Sequence, residues 1–304
     1  MAALKEIKKR INSIKSTRKT TSAMKMVSSA KLHKAEKTLS NMLPYSTTLH
    51  HYITCLLTND TVIQPERLRQ DNNNQKPANI SLLTLERPIR NIAILAFSSD
   101  SSLCGAFNAN VSRKLYKTIE IYSKTLDTDH IFVYTIGKKI FELIRKTNIP
   151  ITKNFENLAG KADYKTIAGL AKSLIALFET NRIDRVELIY HQYRSAGSQE
   201  LVCLPLLPFT LPAPAKDSTS EIDYIIEPSR EKVLRALLPT MITVNLYNAL
   251  LHSNTSEHAA RMIAMQTATD NADDLVSELT IEYNKSRQQA ITNELLDLIG
   301  GSTQ

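Results

Sequence analysis

The sequence predicts a chain of the α/β plus coiled coil class, in which a Rossmann-like α/β domain is inserted between long antiparallel N- and C-terminal helices. Residues 1–104 and 198–299 contain no glycine. Apolar or small residues recur there at alternating steps of three and four, while the middle of the chain alternates short apolar runs with helical patterns. Because Gly costs a helix interior about 1 kcal/mol relative to Ala, glycine-free ends allow unusually long helices.

The first long helix is predicted from about residue 3 to about residue 57. Its three-four spacing is the pattern of a coiled-coil seam. Pro44 is expected to bend this helix without ending it, because the periodicity resumes at Leu49. The predicted seam positions are Leu4, Ile7, Ile11, Ile14, Thr17, Thr21, Met24, Ser28, Leu32, Ala35, Leu39 and Met42.

The second long helix is predicted to begin near Pro228 and Ser229 and to end at Gly300 and Gly301. Two such helices at opposite ends of one chain pair most simply with each other, antiparallel. Both seams are rich in Ala, Ser and Thr and bury little apolar area, so we expect the rod to need an enclosing partner. The predicted seam positions are His258, Met262, Met265, Thr269, Ala272, Val276, Leu279, Tyr283, Ser286 and Ala290.

The middle of the chain predicts a mainly parallel sheet, because strands and helices alternate. The domains are expected at 1–57 (N-terminal shaft helix), 58–90 (connecting loop), 91–227 (globular α/β domain) and 228–304 (C-terminal shaft helix). Strands are predicted at 92–97, 131–134, 186–190 and 200–204, with 224–226 a further candidate, and helices at 105–125, 137–147 and 163–180.

The basic excess of the chain is confined to its first 37 residues, which hold eleven Lys/Arg against two acids. Such a segment is drawn to an acidic partner, which leaves protein, nucleic acid and anionic lipid open. We expect no membrane-spanning segment and no signal peptide, so membrane association would come only through partners.

No catalytic, cofactor or metal site is expected from the motifs. The turn at 98–110 follows a strand and opens a helix, but it has one Gly and no following Lys, unlike a phosphate-binding loop. Cys104, in this turn, is interpreted as a buried structural thiol. The seven histidines show no metal-ligand spacing.

Four stretches carry a family resemblance. Residues 7–27 closely resemble the opening helix of F-type ATP synthase gamma subunits, and residues 257–262 and 283–288 resemble the C-terminal signature of that family. The turn at 98–110 is similar to the family's middle turn, although Ser101, Ser102 and Ala106 replace its usual Arg, Gly and Gly.

The resemblance implies a non-catalytic central rotor stalk in a proton- or sodium-translocating ATP synthase. The paired helices would turn inside a hexameric ring of alpha and beta subunits, and the globular domain would sit on the epsilon subunit and the c-ring. The implied location is the cytoplasmic face of a bacterial inner membrane, as a peripheral protein. Rotation would then drive conformational change at the catalytic beta subunits.

The resemblance also implies partner contacts, residue by residue. Met24 and Lys25 match the segment that faces an acidic lever of the beta subunit. The polar residues that match contacts to the catch region of beta are Arg261, Gln288 and Thr292. The residues that match an apolar bearing at the top of the ring are Leu295, Leu298 and Ile299.

Two other functions are compatible with parts of the sequence. A basic coiled-coil adaptor that binds nucleic acid would explain the charged helix, but the first aromatic residue is Tyr45, so no aromatic side chains are interleaved with the basic ones. An α/β enzyme with a coiled-coil arm would need a nucleophile–base or phosphate-loop pattern, which the motifs do not provide.

Overall fold

The computed structural model describes residues 2–58, 83–147, 149–156, 158–160, 162–210 and 226–301. They form two compact units, Met1–Leu32 with His258–Gln304 (the helical unit) and His33–Glu257 (the α/β unit). In chain order the elements are α1 (Ala2–Thr58), β1 (Ile92–Phe97), α2 (Phe107–Ser123), a 3-10 turn (Thr128–His130), β2 (Ile131–Ile136), α3 (Lys138–Ile144), β3 (Ile151–Phe155), α4 (Tyr164–Glu179), β4 (Arg185–Ser195), β5 (Ser198–Leu207) and α5 (Arg230–Gly301).

Both predicted long helices are confirmed. Pro44 lies inside α1 and Pro239 inside α5, and neither ends its helix. Ser229 precedes α5, and its hydroxyl oxygen accepts a hydrogen bond from the backbone N–H of Lys232 at 3.4 Å, as expected of an N-cap. The predicted seam positions are buried or half-buried, with the exception of Thr17, which is exposed.

The sheet of the α/β unit has the strand order β3-β2-β1-β4-β5. Strands β1 to β4 pair in parallel, and β5 returns antiparallel along β4. This order matches that of a Rossmann-like fold and confirms the predicted class.

Strand β1 is buried at all six positions because both faces of the sheet are covered. Its alternate residues Ile92, Ile94 and Ala96 pack into one apolar cluster with α2 and α3. Ala93, Leu95 and Phe97 pack into the other, which contains residues of α1, α4 and α5. In this unit the sheet and both long helices therefore share one core.

Strand β3 was missed by the sequence analysis. It is a short edge strand that pairs only with β2 among the described residues, and it is at most half-buried. Its central residues Thr152, Lys153 and Asn154 are polar, so the apolar run that marks the other parallel strands is lacking. Residues 224 and 225 of the strand candidate and most of the predicted loop 58–90 lie outside the described residues, and the four-part domain division stays a prediction.

Helix α5 contains a stretch that is long and apolar enough in composition to cross a membrane. Half of that stretch is buried within the structure. Residues such as Leu238, Ile242 and Leu246 belong to the core of the α/β unit. Because a core helix has the same composition as a spanning one, this feature is weak evidence for a span.

Gly137 connects β2 to α3 in a backbone conformation that side chains rarely adopt, with φ of +96°. A Cβ atom at this position would lie 2.4 Å from the backbone oxygen of Ser98. We expect Gly137→Ala to lower the free energy of unfolding by at least about 2 kcal/mol, from backbone strain and this close contact. Urea unfolding of the isolated chain, followed by circular dichroism, measures the loss.

The matched control is Gly169→Ala in α4. A Cβ there meets nothing within 4 Å, and Ala should stabilise the helix by up to about 1 kcal/mol. Equal stability of the two variants would contradict the interpretation of the Gly137 turn.

Candidate partner-binding surface of the helical unit

Two contacts fix the pairing of α1 with α5 in the helical unit. The hydroxyl groups of Thr21 and Thr269 lie 2.8 Å apart, and Arg18 Nη1 lies 2.7 Å from Asp273 Oδ1. The earlier residue on α1 pairs with the later one on α5, so the helices are antiparallel, as predicted. Both ends of the ion pair are about half exposed, so it contributes at most about 1 kcal/mol.

The Thr21–Thr269 contact places a hydrogen bond where a coiled coil usually has apolar packing. Each hydroxyl also lies within bonding distance of a carbonyl of its own helix, Arg18 O for Thr21 and Met265 O for Thr269. A hydroxyl has one proton, so one threonine donates across the seam while the other donates to its own helix. The seam is thus specified by polar geometry as well as by apolar area.

Charge is distributed unequally between the two segments of this unit. Residues 1–32 contain nine basic residues and one acid, whereas residues 258–304 contain three basic residues and seven acids. The lysines of the first turns, Lys5, Lys8, Lys9, Lys15 and Lys19, are exposed. The helical unit therefore presents a basic helix and an acidic helix to its surroundings.

Met24 and Lys25, the predicted contacts with an acidic lever, are both half-buried. The next two residues are more accessible, with Met26 69% and Val27 57% exposed. Val27 was missed by the sequence analysis. The available signal was an apolar pair that falls between the seam positions Met24 and Ser28, where a solvated helix would carry polar residues.

The predicted catch residues do not form one cluster. Arg261 is only 8% exposed, whereas Gln288 and Thr292 are exposed. Thr292 donates its hydroxyl proton to the backbone oxygen of Gln288, at 2.9 Å. Arg261 and Gln288 lie 27 positions apart on one helix, about 40 Å at 1.5 Å per residue. The structure thus brings Gln288 and Thr292 together and leaves Arg261 apart from them.

The predicted apolar bearing is described only in part. Leu295 is 54% exposed, and the side chains of Leu298 and Ile299 lie outside the described residues. Leu296, which the sequence analysis did not single out, is 60% exposed. This end of α5 therefore presents leucine side chains to its surroundings.

The turn at 98–110, in the α/β unit, is held by its own polar groups. Asn108 accepts a hydrogen bond from the backbone N–H of Ser99 and donates one to Cys104 Sγ, at 3.0 and 3.2 Å. Asp100 accepts from the backbone N–H groups of Lys138 and Gly160, at 3.1 and 2.8 Å. Cys104 is buried. These contacts give the turn a structural role.

Comparison with known proteins identifies the family. A family model described as ATP synthase matches residues 3–303. The ATP synthase gamma chain of Bacteroides fragilis is 48% identical over 305 residues, which cover 99% of each chain. That of Bacteroides thetaiotaomicron is 44% identical over the full length of both.

This chain belongs to the ATP synthase gamma chain family. The resemblance inferred from the two terminal segments and the middle turn is therefore confirmed. Gamma chains are subunits of ATP synthase, a rotary complex.

Solved structures agree on the fold of this gamma chain. The rotor of Euglena gracilis mitochondrial ATP synthase aligns with a TM-score of 0.61 at 17% identity, over 95% of this chain and 99% of its own. A central stalk/c-ring structure from Tetrahymena thermophila mitochondrial ATP synthase aligns with a TM-score of 0.56 at 20% identity, over 82% and 99%. The α/β domain with long terminal helices is thus the fold of known central stalks.

His258 makes the stability of the gamma chain sensitive to acid. Burial, followed by the nearby charges of Arg261 and Lys31, lowers its pKa from 6.5 to about 4. The unfolded chain therefore binds this proton more readily, and the folded state loses stability as pH falls from about 6.5 towards 4. We expect His258→Gln, which cannot titrate, to lose less stability over this range.

Thermal melting of both chains between pH 7.5 and 4 measures this difference. The melting temperature of the variant relative to the parent should rise as the pH falls. Parallel curves would show that the pKa of His258 is not depressed in the folded chain.

Proposed function

We propose that the chain is the central rotor stalk (gamma) subunit of a proton- or sodium-translocating F-type ATP synthase. The observation that carries this proposal is the family match over residues 3–303. The structure supports it with two long helices whose paired segments differ in charge.

The unequal helices suggest how such a subunit works without catalytic residues of its own. A shaft with a basic side and an acidic side contacts three identical neighbours differently at any one angle. Differential contact favours a different conformation in each neighbour, and rotation moves the conformations round the ring. ATP chemistry then belongs to the catalytic beta subunits, and this chain is not an enzyme.

The proposed partners are three alpha and three beta subunits around the helical unit, with the epsilon subunit and the c-ring at the α/β unit. The chain would be peripheral, on the cytoplasmic face of a bacterial inner membrane, and held there by these partners. Support comes from its bacterial relatives and from similar folds described as a central stalk/c-ring and as a rotor.

We propose two contact regions on the helical unit. Met24 and Lys25, with exposed Met26 and Val27, would face the acidic lever of beta, because an apolar and cationic surface suits such a partner.

The second region is on α5. Gln288 and Thr292 would bind the catch region together, and Arg261 would contact it separately, about 40 Å away along the helix. Leu295, Leu298 and Ile299, joined by Leu296, would form the apolar bearing.

The nucleic-acid adaptor has no support among the comparisons. Binding of the chain to immobilised DNA, with an affinity that falls steeply as the salt concentration rises, would support the nucleic-acid adaptor.

The decisive experiment is assembly. Purified from its own membranes, the chain should be recovered in one copy per hexameric ATPase. Mixed with purified alpha and beta subunits, it should melt at a higher temperature, because binding to the folded state stabilises it. An unchanged melting temperature together with separate elution would rule the proposal out.

Lys25→Glu tests the contact with the acidic lever. Placing a carboxylate opposite acidic residues should lower ATP-driven ion pumping roughly threefold or more while assembly is retained. The matched control is Lys19→Glu, the same charge change at an exposed position of the same helix. Equal loss of assembly and pumping, or equal effects of both variants, would count against a load-bearing Lys25.

A further inference from the structure

Strand β4 is bonded to both long helices within the α/β unit. The Tyr193 hydroxyl donates a hydrogen bond to Glu36 Oε1 on α1. Two residues earlier on β4, the backbone oxygen of His191 accepts a hydrogen bond from Ser256 Oγ on α5, at 3.0 Å. A segment of three residues therefore joins the sheet to α1 and to α5.

The two bonds differ in environment. Ser256 is fully buried and His191 is 4% exposed, so the link to α5 is shielded from water. The link to α1 is only half-buried. Glu36 is one of the two acids among the first 37 residues. Within that basic segment, the Glu36 carboxylate accepts the hydrogen bond that joins α1 to the sheet.

The Tyr193–Glu36 bond is built to persist at neutral pH. Burial, and then the neighbouring carboxylate of Glu36, raise the pKa of Tyr193 to about 12. The phenol keeps its proton and remains a donor to a charged acceptor, which makes a stronger bond than a neutral pair.

The bond adds a polar contact to the apolar packing of α1 in this unit. The buried α1 residues of the core cluster are Leu49, Ile53 and Leu56, half-buried Met42 packs against that cluster, and Leu39 is buried as well. Apolar packing is non-directional, whereas a hydrogen bond has a defined length and angle. Tyr193 therefore gives α1 a directional restraint that the apolar packing of its neighbours does not supply.

We propose that Tyr193 is a positioning residue which, through Glu36, fixes the position of α1 on the sheet, so that force on the α/β unit is carried by both long helices. The link through Ser256 supplies the α5 side. Asn248 on α5 also donates to Ser46 Oγ on α1, at 3.1 Å, which ties the two helices together in this unit. The proposal rests on the proposed rotor function.

The test uses the assembled ATP synthase with Tyr193→Phe, which removes the hydroxyl and keeps the ring. Loss of a hydrogen bond to a carboxylate should speed amide hydrogen exchange at residues 192–199 roughly tenfold. Ion pumping per ATP hydrolysed should fall roughly twofold, because the weakened link lets α1 lag behind α5.

Two further variants sharpen the test. Glu36→Gln keeps an oxygen that accepts the hydrogen bond from the phenol. Its hydrogen exchange and its ion pumping should therefore change less, relative to the parent, than those of Tyr193→Phe. Tyr45→Phe is the matched control, since Tyr45 lies on α1, is 50% exposed and is no part of this link.

Each combination of results either supports or overturns the proposal. It is supported if Tyr193→Phe shows faster hydrogen exchange and lower ion pumping per ATP hydrolysed and Tyr45→Phe shows neither change. Unchanged exchange in Tyr193→Phe would show that the bond does not restrain β4. Faster exchange with unchanged pumping would show that the restraint transmits no force. Either result overturns the proposal. If the parent complex itself fails to couple ATP hydrolysis to pumping, the rotor function fails, while the exchange data still report on the bond.

Discussion

The seam between α1 and α5 in the helical unit is the constraint on which the rest depends. One of its contacts joins two threonine hydroxyls, and several of its other positions are Ala or Ser. At those positions the small side chains let the helix backbones approach closely but bury little apolar surface. This is the physical reason for proposing a partner that encloses the pair.

The α/β unit holds both long helices against its β-sheet. A sheet covered on both faces gives a core in which β1 is completely buried. Residues of α1 and α5 belong to that same core. Apolar packing holds the helices and the sheet together, and the directional hydrogen bonds from β4 fix where the helices lie on the sheet. The α/β unit therefore anchors both long helices to the sheet.

Periodicity predicted the seam, whereas the surface contacts came from the family resemblance and stay predictions. Every seam position that the spacing of three and four selected, apart from Thr17, is buried or half-buried, because a helix that packs along one stripe must repeat with that period. The surface residues came from resemblance, and the structure separates them. Arg261 proved buried, Gln288 and Thr292 proved exposed, and Val27 and Leu296 were overlooked because periodicity assigns no role to apolar residues outside the seam.

By itself, the sequence determined the two long helices, their antiparallel pairing, the parallel strands marked by apolar runs and the family. The helices and strands follow from local periodicity and composition, which each segment carries within itself, and the family follows from the resemblance of the terminal segments and the middle turn. Only the tertiary structure decided the edge strand β3, the strained turn at Gly137 and the bonds of β4 to Glu36 and Ser256. Those features depend on residues distant in the chain meeting in space, and no local pattern encodes which distant partner a polar side chain will find.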